Sequence, residues 1–362
     1  MAYQTNIRLS EKITVRVHKR VLEFVRPAKT SRDTLTSHEV WYILLLNEEN
    51  KTAGIGECAP IWGLSAEQRG DFEEIMREIQ QPHLSDNRLQ EIIAGSSALK
   101  FAFETAERDL SNGGRRQVFN FDPASLLPIN GLVWMNEKKA MLEEAFSKIK
   151  NGYSCIKLKI GGIRFEDELE ILTAIRSEFP ARDIELRLDA NGAFSKGDAL
   201  HRLDSLSRFD IHSIEQPIKA GQWTEMKELV TKSPIAIALD EDLIGITRRE
   251  SREELIEIIR PHFLVLKPTL HGAFEGCDEW IELAEQNGVK WWATSALESN
   301  IGLNAIAQWL AGKSTVLPQG LGTGLLYANN IPSPLTVSKG KLSWNKELPW
   351  DVSSILPSDF LR

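Results

Sequence analysis

The stretch LRLDANGAF, residues 186–194, reads as an apolar strand that stops on Asp189, a tight Asn191-Gly192 turn and the entry to a helix. A single acidic residue at a strand end is ordinary, since a helix cap or a surface ion pair accounts for it. Here the same event recurs on both sides. Upstream, CIKLKIGG (155–162) carries Lys157 and Lys159; downstream, HSIEQP (212–217) carries Glu215, AIALDED (236–242) carries Asp240 and FLVLKP (263–268) carries Lys267. From Lys159 through Asp189, Glu215 and Asp240 to Lys267 the charged ends recur every 25 to 30 residues. That is the pitch of a strand, a helix and two loops.

Worked outward, this rhythm predicts strands at 129–134, 155–160, 184–190, 211–215, 235–240, 263–267, 289–294 and 316–319. Helical stretches fall between them, including Glu137–Lys150, Glu166–Phe179, Glu250–Ile259 and Gly276–Asn287, with Gly152 and Gly288 where helix C-caps belong. Short, near-continuous apolar strands alternating with helices imply an α/β fold, a closed parallel (β/α)8 TIM barrel. The rival, a doubly wound sheet, would carry a glycine-rich phosphate loop after its first strand, and INGLVWMNEKK (129–139) is not one.

Residues 1–125 read as an α+β capping domain. ITVRVHKRVLEFVRPA (13–28) and HEVWYILLLN (38–47) look like strands, and helical periodicity follows over 66–110, clearest in SALKFAFETAERDL (97–110). The turn-rich 111–125 marks the boundary, 126–325 forms the barrel, and the tail 326–362 is expected to pack back on the cap. A net charge of −8 and no Lys/Arg-rich block exclude a nucleic-acid partner. Three isolated cysteines suit a reducing cytoplasm as small buried residues. MAYQTNIRLSEK lacks the apolar core of a signal peptide, and Val40–Leu46 is too short to cross a bilayer. A cytoplasmic enzyme for a small molecule is the expectation.

In a barrel of this kind the C-terminal strand ends converge on the active site. Asp189, Glu215 and Asp240 would meet there, and three carboxylates in a confined space repel unless a cation compensates them. Oxygen-only donors select a hard divalent ion, Mg²⁺, with Mn²⁺ an alternative. Lys157 and Lys159, two apart, share a strand face, and Lys267 would lie across the metal from them. Neighbouring cations would lower the pKa of Lys159 toward the range of a base. A lysine on each side of a metal suits removal of a proton α to a carboxylate. Arg187, two before Asp189, is either a substrate contact or part of a charge layer that closes the barrel. Asn191 is a further candidate contact, and Asn191 and Glu241 are expected to support the ligands. His201, His212, His262 and His271 show no ligand spacing.

KLK (157–159), LDAN (188–191), EQP (215–217), DE (240–241) and LKP (266–268) on successive strands resemble the enolase superfamily, in particular its muconate-lactonizing-enzyme subgroup. The resemblance runs over the whole chain. It implies Lys159 and Lys267 as acid/base lysines and Asp189, Glu215 and Asp240 as Mg²⁺ ligands. Within the subgroup, SALESNIGL (295–303) and GLGTGLL (320–326) are similar to the o-succinylbenzoate synthase family, dehydratases of menaquinone biosynthesis. Candidate substrate contacts are then Lys157, Ser295, Glu298, Gly320, Gly322 and Thr323. The uncharged Gly320-Leu321-Gly322 weighs against the dipeptide epimerases of the subgroup, which carry an acidic pair there; its amides would suit a carboxylate. Thr30–Leu35 and Pro60–Leu64 would close over the substrate. The rival readings are an N-acylamino acid racemase or epimerase and, from another class, a barrel that binds without catalysing.

Overall fold

The structure, a computed structural model, describes residues 12–30, 33–315 and 317–361. The start of the chain, read above for a leader, lies outside these residues, as do Ser31 and Arg32 of the Thr30–Leu35 loop. The N-terminal unit is a three-stranded antiparallel sheet, β1 (Ile13–Lys29), β2 (Thr34–Asn47) and β3 (Thr52–Cys58), followed by α1 (Arg69–Glu78), α2 (Asp86–Ala94) and α3 (Ser97–Ser111).

The central strand β2 is buried on both faces, so its sequence is a continuous apolar run rather than an alternating one. Trp41, Ile43 and Leu45 pack with Phe72, Leu99 and Phe103 of the helices. Val40, Tyr42 and Leu44 pack with Ile331, Ile355 and Phe360 from the end of the chain. A side chain at Gly54 or Gly56 of β3 would collide with the Ala106 or Ala102 carbonyl of α3, so the pair of glycines lets helix and sheet touch.

Next come β4 (Leu127–Pro128), β5 (Gly131–Val133), β6 (Cys155–Lys159), β7 (Glu185–Asp189), β8 (Ser213–Glu215), β9 (Ile237–Leu239), β10 (Phe263–Leu266) and β11 (Lys290–Ala293). β5 to β11 form one parallel sheet in sequence order. They alternate with α4 (Lys138–Lys150), α5 (Phe165–Glu178), α6 (Ala199–Ser207), α7 (Trp223–Lys232), α8 (Arg249–Ile259), α9 (Ala273–Gln286) and α10 (Asn300–Ala311). Strand residues and inner helix faces merge into one large core, among them Ile156, Leu186, Ile214, Ile237, Leu264 and Trp280, while Ala238, Phe263, Val265 and Trp292 form a smaller cluster of their own.

Of the expected eighth strand, 316–319, Val316 lies outside the described residues, and beyond it two bridges form: Gln319 pairs with Ile129 and Gly320 with Thr294. Pro318, which has no N–H to donate, cannot extend a ladder there. The ring still closes, because Asn130 N donates to Gln319 O at 2.9 Å and Gly320 N to Ala293 O at 2.8 Å. The turn after Asp189 also departs from expectation, for no helix starts at once. Asn191 (φ 46°) and Gly192 (φ 74°) are both left-handed and send the chain back along Gln216–Ile218 before α6 begins.

The N-terminal unit grips the barrel rim at the C-terminal strand ends. Glu57 accepts from Ser299 N (2.7 Å) and Gly302 N (2.8 Å) at the start of α10. The His38 ring lies between Pro60 O and Leu297 O. In a separate antiparallel sheet, β13 (Lys341–Trp344) pairs with both β12 (Leu335–Ser338) and β4. Among the described residues no helix is long and apolar enough to cross a membrane.

Candidate active site

Strand register brings the charged ends together. Lys157 is opposite Arg187, Lys159 opposite Asp189, and Asp189 opposite Glu215. Asp240 and Lys267 each follow the last residue of their strand, β9 and β10. All five, and Lys157 with them, converge. Lys157 Nζ lies 2.8 Å from Asp189 Oδ2 and 2.5 Å from Glu215 Oε2. Lys159 Nζ lies 2.6 Å from the same Asp189 oxygen and 2.8 Å from Asn191 Oδ1. The Lys267 ammonium pairs with Asp240 Oδ2.

Burial sets the electrostatics, because a buried charge survives only against a partner. Burial opposes ionisation of Asp189, but the Lys157 and Lys159 ammoniums outweigh it and hold the carboxyl far below its usual range. Burial would lower the Lys157 amine, and Asp189 with Glu215 instead raises it well above the ordinary value. For Lys159 burial wins, aided by Lys157 and Lys267, and the amine is lowered. The direction is the one expected, although burial rather than neighbouring cations is the leading cause. Glu215 is the carboxyl left over. Burial and the Asp189 charge push it well above the usual range, and the Lys157 ammonium 2.5 Å away opposes them without prevailing.

Two oxygens of this group, Glu215 Oε1 and Asp240 Oδ1, are buried and make no hydrogen bond. Such orphaned oxygens on an all-oxygen donor set fit a hard divalent cation. The shell is not closed, however. One oxygen of each carboxylate is paired with a lysine ammonium: Asp189 Oδ2 with Lys157 and Lys159, Glu215 Oε2 with Lys157, and Asp240 Oδ2 with Lys267.

Residues 140–347 match the family described as Enolase C-terminal domain-like. The chain belongs to the enolase superfamily. It is 44% identical over 356 residues to an o-succinylbenzoate synthase from Desulfotalea psychrophila, covering 89% of this chain and 96% of that one. The crystal structure of MenC from that organism superimposes with a TM-score of 0.76 at 40% identity, covering 92% of this chain and 99% of the other. A dipeptide epimerase from Cytophaga hutchinsonii, solved with Mg and the dipeptide D-Ala-L-Val, gives 0.79 at 22% identity over 94% and 96% of the two chains. At that identity the likeness is one of fold.

The remaining candidates divide in this enolase-superfamily barrel. Asn191 accepts from Lys159, donates its backbone N–H to Asp189 Oδ1 at 3.0 Å and gives its amide to Glu241 Oε1 at 2.9 Å. Lys157 is buried among carboxylates rather than turned to a ligand. Arg187 leans the opposite way, with Nε 2.7 Å from Glu185 Oε1, Nη1 2.8 Å from Pro318 O and its guanidinium over Trp292. Of its two readings, the charge layer that closes the barrel agrees with these contacts, and a substrate contact does not. Glu298 is fully buried, taking the Thr269 hydroxyl and Ala296 N rather than facing the site. Ser295 receives the Thr323 hydroxyl at 2.8 Å and bonds Gly320 O, so these three knit the seventh strand end to the closing segment. The Gly320 amide, expected to meet a carboxylate, already donates to Ala293 O, and a side chain there would strike Thr294. A side chain at Gly322 would meet only Asn130 O, at 4.0 Å.

Sequence reasoning missed three residues. Gln216 (φ 43°) accepts from Asp240 N at 3.2 Å and donates to Asp242 at 2.7 Å, holding the backbone of an expected ligand; its place in EQP was the available signal. His271, which shows no ligand spacing in the sequence, accepts from Lys267 N at 3.0 Å, and burial pushes its imidazole down to about 3, which keeps it a neutral acceptor. Trp134 places its ring 6.0 Å from Lys159 Nζ and carried no charge to flag it.

Proposed function

We propose that the protein is an o-succinylbenzoate synthase, converting 2-succinyl-6-hydroxy-2,4-cyclohexadiene-1-carboxylate to 2-succinylbenzoate by loss of water. The observation that carries this reading is the meeting of Lys159 and Lys267 from separate strands on one acidic group, in a chain that aligns with a synthase over nearly its full length. The racemase or epimerase reading would use the same two lysines, but the epimerase relatives are more distant.

Asp189, Glu215 and Asp240 would hold Mg²⁺, with Mn²⁺ an alternative. When bound, the ion supplies positive charge to the substrate carboxylate as its α-proton leaves. Lys159, its amine lowered by burial, takes that proton. Asn191 and Asp189 orient the amine, each within 2.8 Å of Nζ. Lys267 keeps its ammonium on the far side, where it balances charge on the substrate, and His271 fixes its backbone. The protonated Lys159 returns its proton to the departing hydroxyl on the same face, so water leaves and the ring becomes aromatic. Gln216 keeps Asp240 in place through its backbone N–H.

The test is the diene absorbance of this substrate with purified protein, with and without EDTA. Rapid metal-dependent loss supports the assignment. An intact, metal-loaded protein that leaves the diene untouched removes it, and α-proton exchange of N-succinylamino acids in D₂O then tests the racemase reading.

A further inference from the structure

Trp134 has no task in the reaction just described, yet its position is specific. Val133 pairs with Leu158, so Trp134 stands beside Lys159 at the strand ends. Leu132 is opposite Lys157, and residues two apart on a strand share a face, so Trp134 looks inward with the lysines. The indole is half-buried and belongs to none of the apolar cores among the described residues. A large aromatic ring outside every core, on the rim of a polar site, leaves a flat apolar surface for a ligand.

We propose that Trp134 is the wall on which the six-membered ring of substrate and product lies, a specificity-determining contact beside the base. This inference rests on the synthase reading. A proton moves to Lys159 only if its carbon comes within about 3 Å of Nζ. The ring that carries this carbon is then brought alongside the indole, whose centroid is 6.0 Å from Nζ. The product ring is flat and aromatic, and offset stacking on an indole favours it over an acyclic chain of equal charge.

The test compares Trp134→Leu and Trp134→Phe with the wild-type enzyme. Leucine keeps apolar bulk without an aromatic face; phenylalanine keeps the face. Binding of 2-succinylbenzoate, followed by quenching of tryptophan fluorescence and by calorimetry, is read beside kcat and KM on the diene. We expect Trp134→Leu to weaken product binding about tenfold and to raise KM more than it lowers kcat, with Trp134→Phe within about threefold of wild type, the scale of one aromatic contact. Product binding unchanged in the leucine variant overturns the proposal. So does a phenylalanine variant that falls as far as leucine, or a leucine variant that loses kcat with KM and product affinity intact. Failure of the synthase reading shows separately, in wild-type protein that binds product without turning over the diene. Wild-type protein that does neither overturns both.

Discussion

Lys157 and Arg187 are register partners on adjacent strands, both buried and both cationic, yet their side chains serve opposite ends of the barrel. Lys157 reaches toward the C-terminal ends and meets Asp189 and Glu215. Arg187 reaches the other way, to Glu185 two residues earlier in its own strand, to Pro318 O and to the face of Trp292. The first region gathers more carboxylate than its lysines satisfy, leaving Glu215 Oε1 and Asp240 Oδ1 unbonded. The second pairs one cation with one carboxylate, a carbonyl and a ring, and leaves one donor, Arg187 Nη2, unbonded. Buried charge alone does not mark a site of chemistry. The mark is a gathering of carboxylates from successive strands whose oxygens the fold leaves open.

If the two ends divide chemistry from stability in this way, removing the metal should act on one alone. EDTA should lower turnover by about a thousandfold or more. The melting temperature should move by only about 5 °C or less, because each carboxylate already has one oxygen paired with a lysine ammonium. Calorimetry beside the diene assay reads both, and unfolding on chelation would break the comparison. Lys267→Ala should cost about a hundredfold in dehydration, the scale of one lost charge-stabilising donor. It should abolish any racemisation, which needs a proton carrier on each face; parallel assays with the diene and with an N-succinylamino acid check this.

At the opposite end, Arg187→Met should destabilise by about 3 kcal/mol, the low end for a broken buried pair because Glu185 keeps contact with water. Urea unfolding reads that loss, and kcat of the folded fraction should stay within about threefold. The last expected effect is confined to acid pH and concerns His271. Its folded value of about 3 lies below the ordinary 6.5, so the unfolded chain binds the extra proton as pH falls. Stability from this group is therefore present above pH 6.5 and lost on acidification toward 3. The slope is at most about 1.4 kcal/mol per pH unit. His271→Gln, a neutral replacement, should flatten that limb of the urea midpoint against pH.

The barrel was legible because its strands are buried on both faces and its charged ends keep a fixed pitch. Asp189, Glu215, Asp240, Lys159 and Lys267 could be placed at one rim from that pitch alone. The period of two in a strand gives the face of a residue but not the end toward which its side chain leans, so Arg187 stayed ambiguous. Gly320 could be read as an amide donor because nothing local shows that its N–H is taken by Ala293 O across a closing segment. Glu298 looked available for the same reason, since its partner Thr269 is distant in sequence. The eighth strand was overextended because Pro318 limits it to Gln319 and Gly320. Gln216 and Trp134 carry no charge, so a search for ionisable strand ends passed over them.

The most direct test of the account is the diene assay on Lys159→Ala beside wild-type protein, with near-UV circular dichroism confirming equal folded concentrations. The account predicts native spectra, retained Mg²⁺ binding by calorimetry and turnover lowered by about a thousandfold or more. A folded, metal-binding Lys159→Ala protein that dehydrates the diene near the wild-type rate would contradict it.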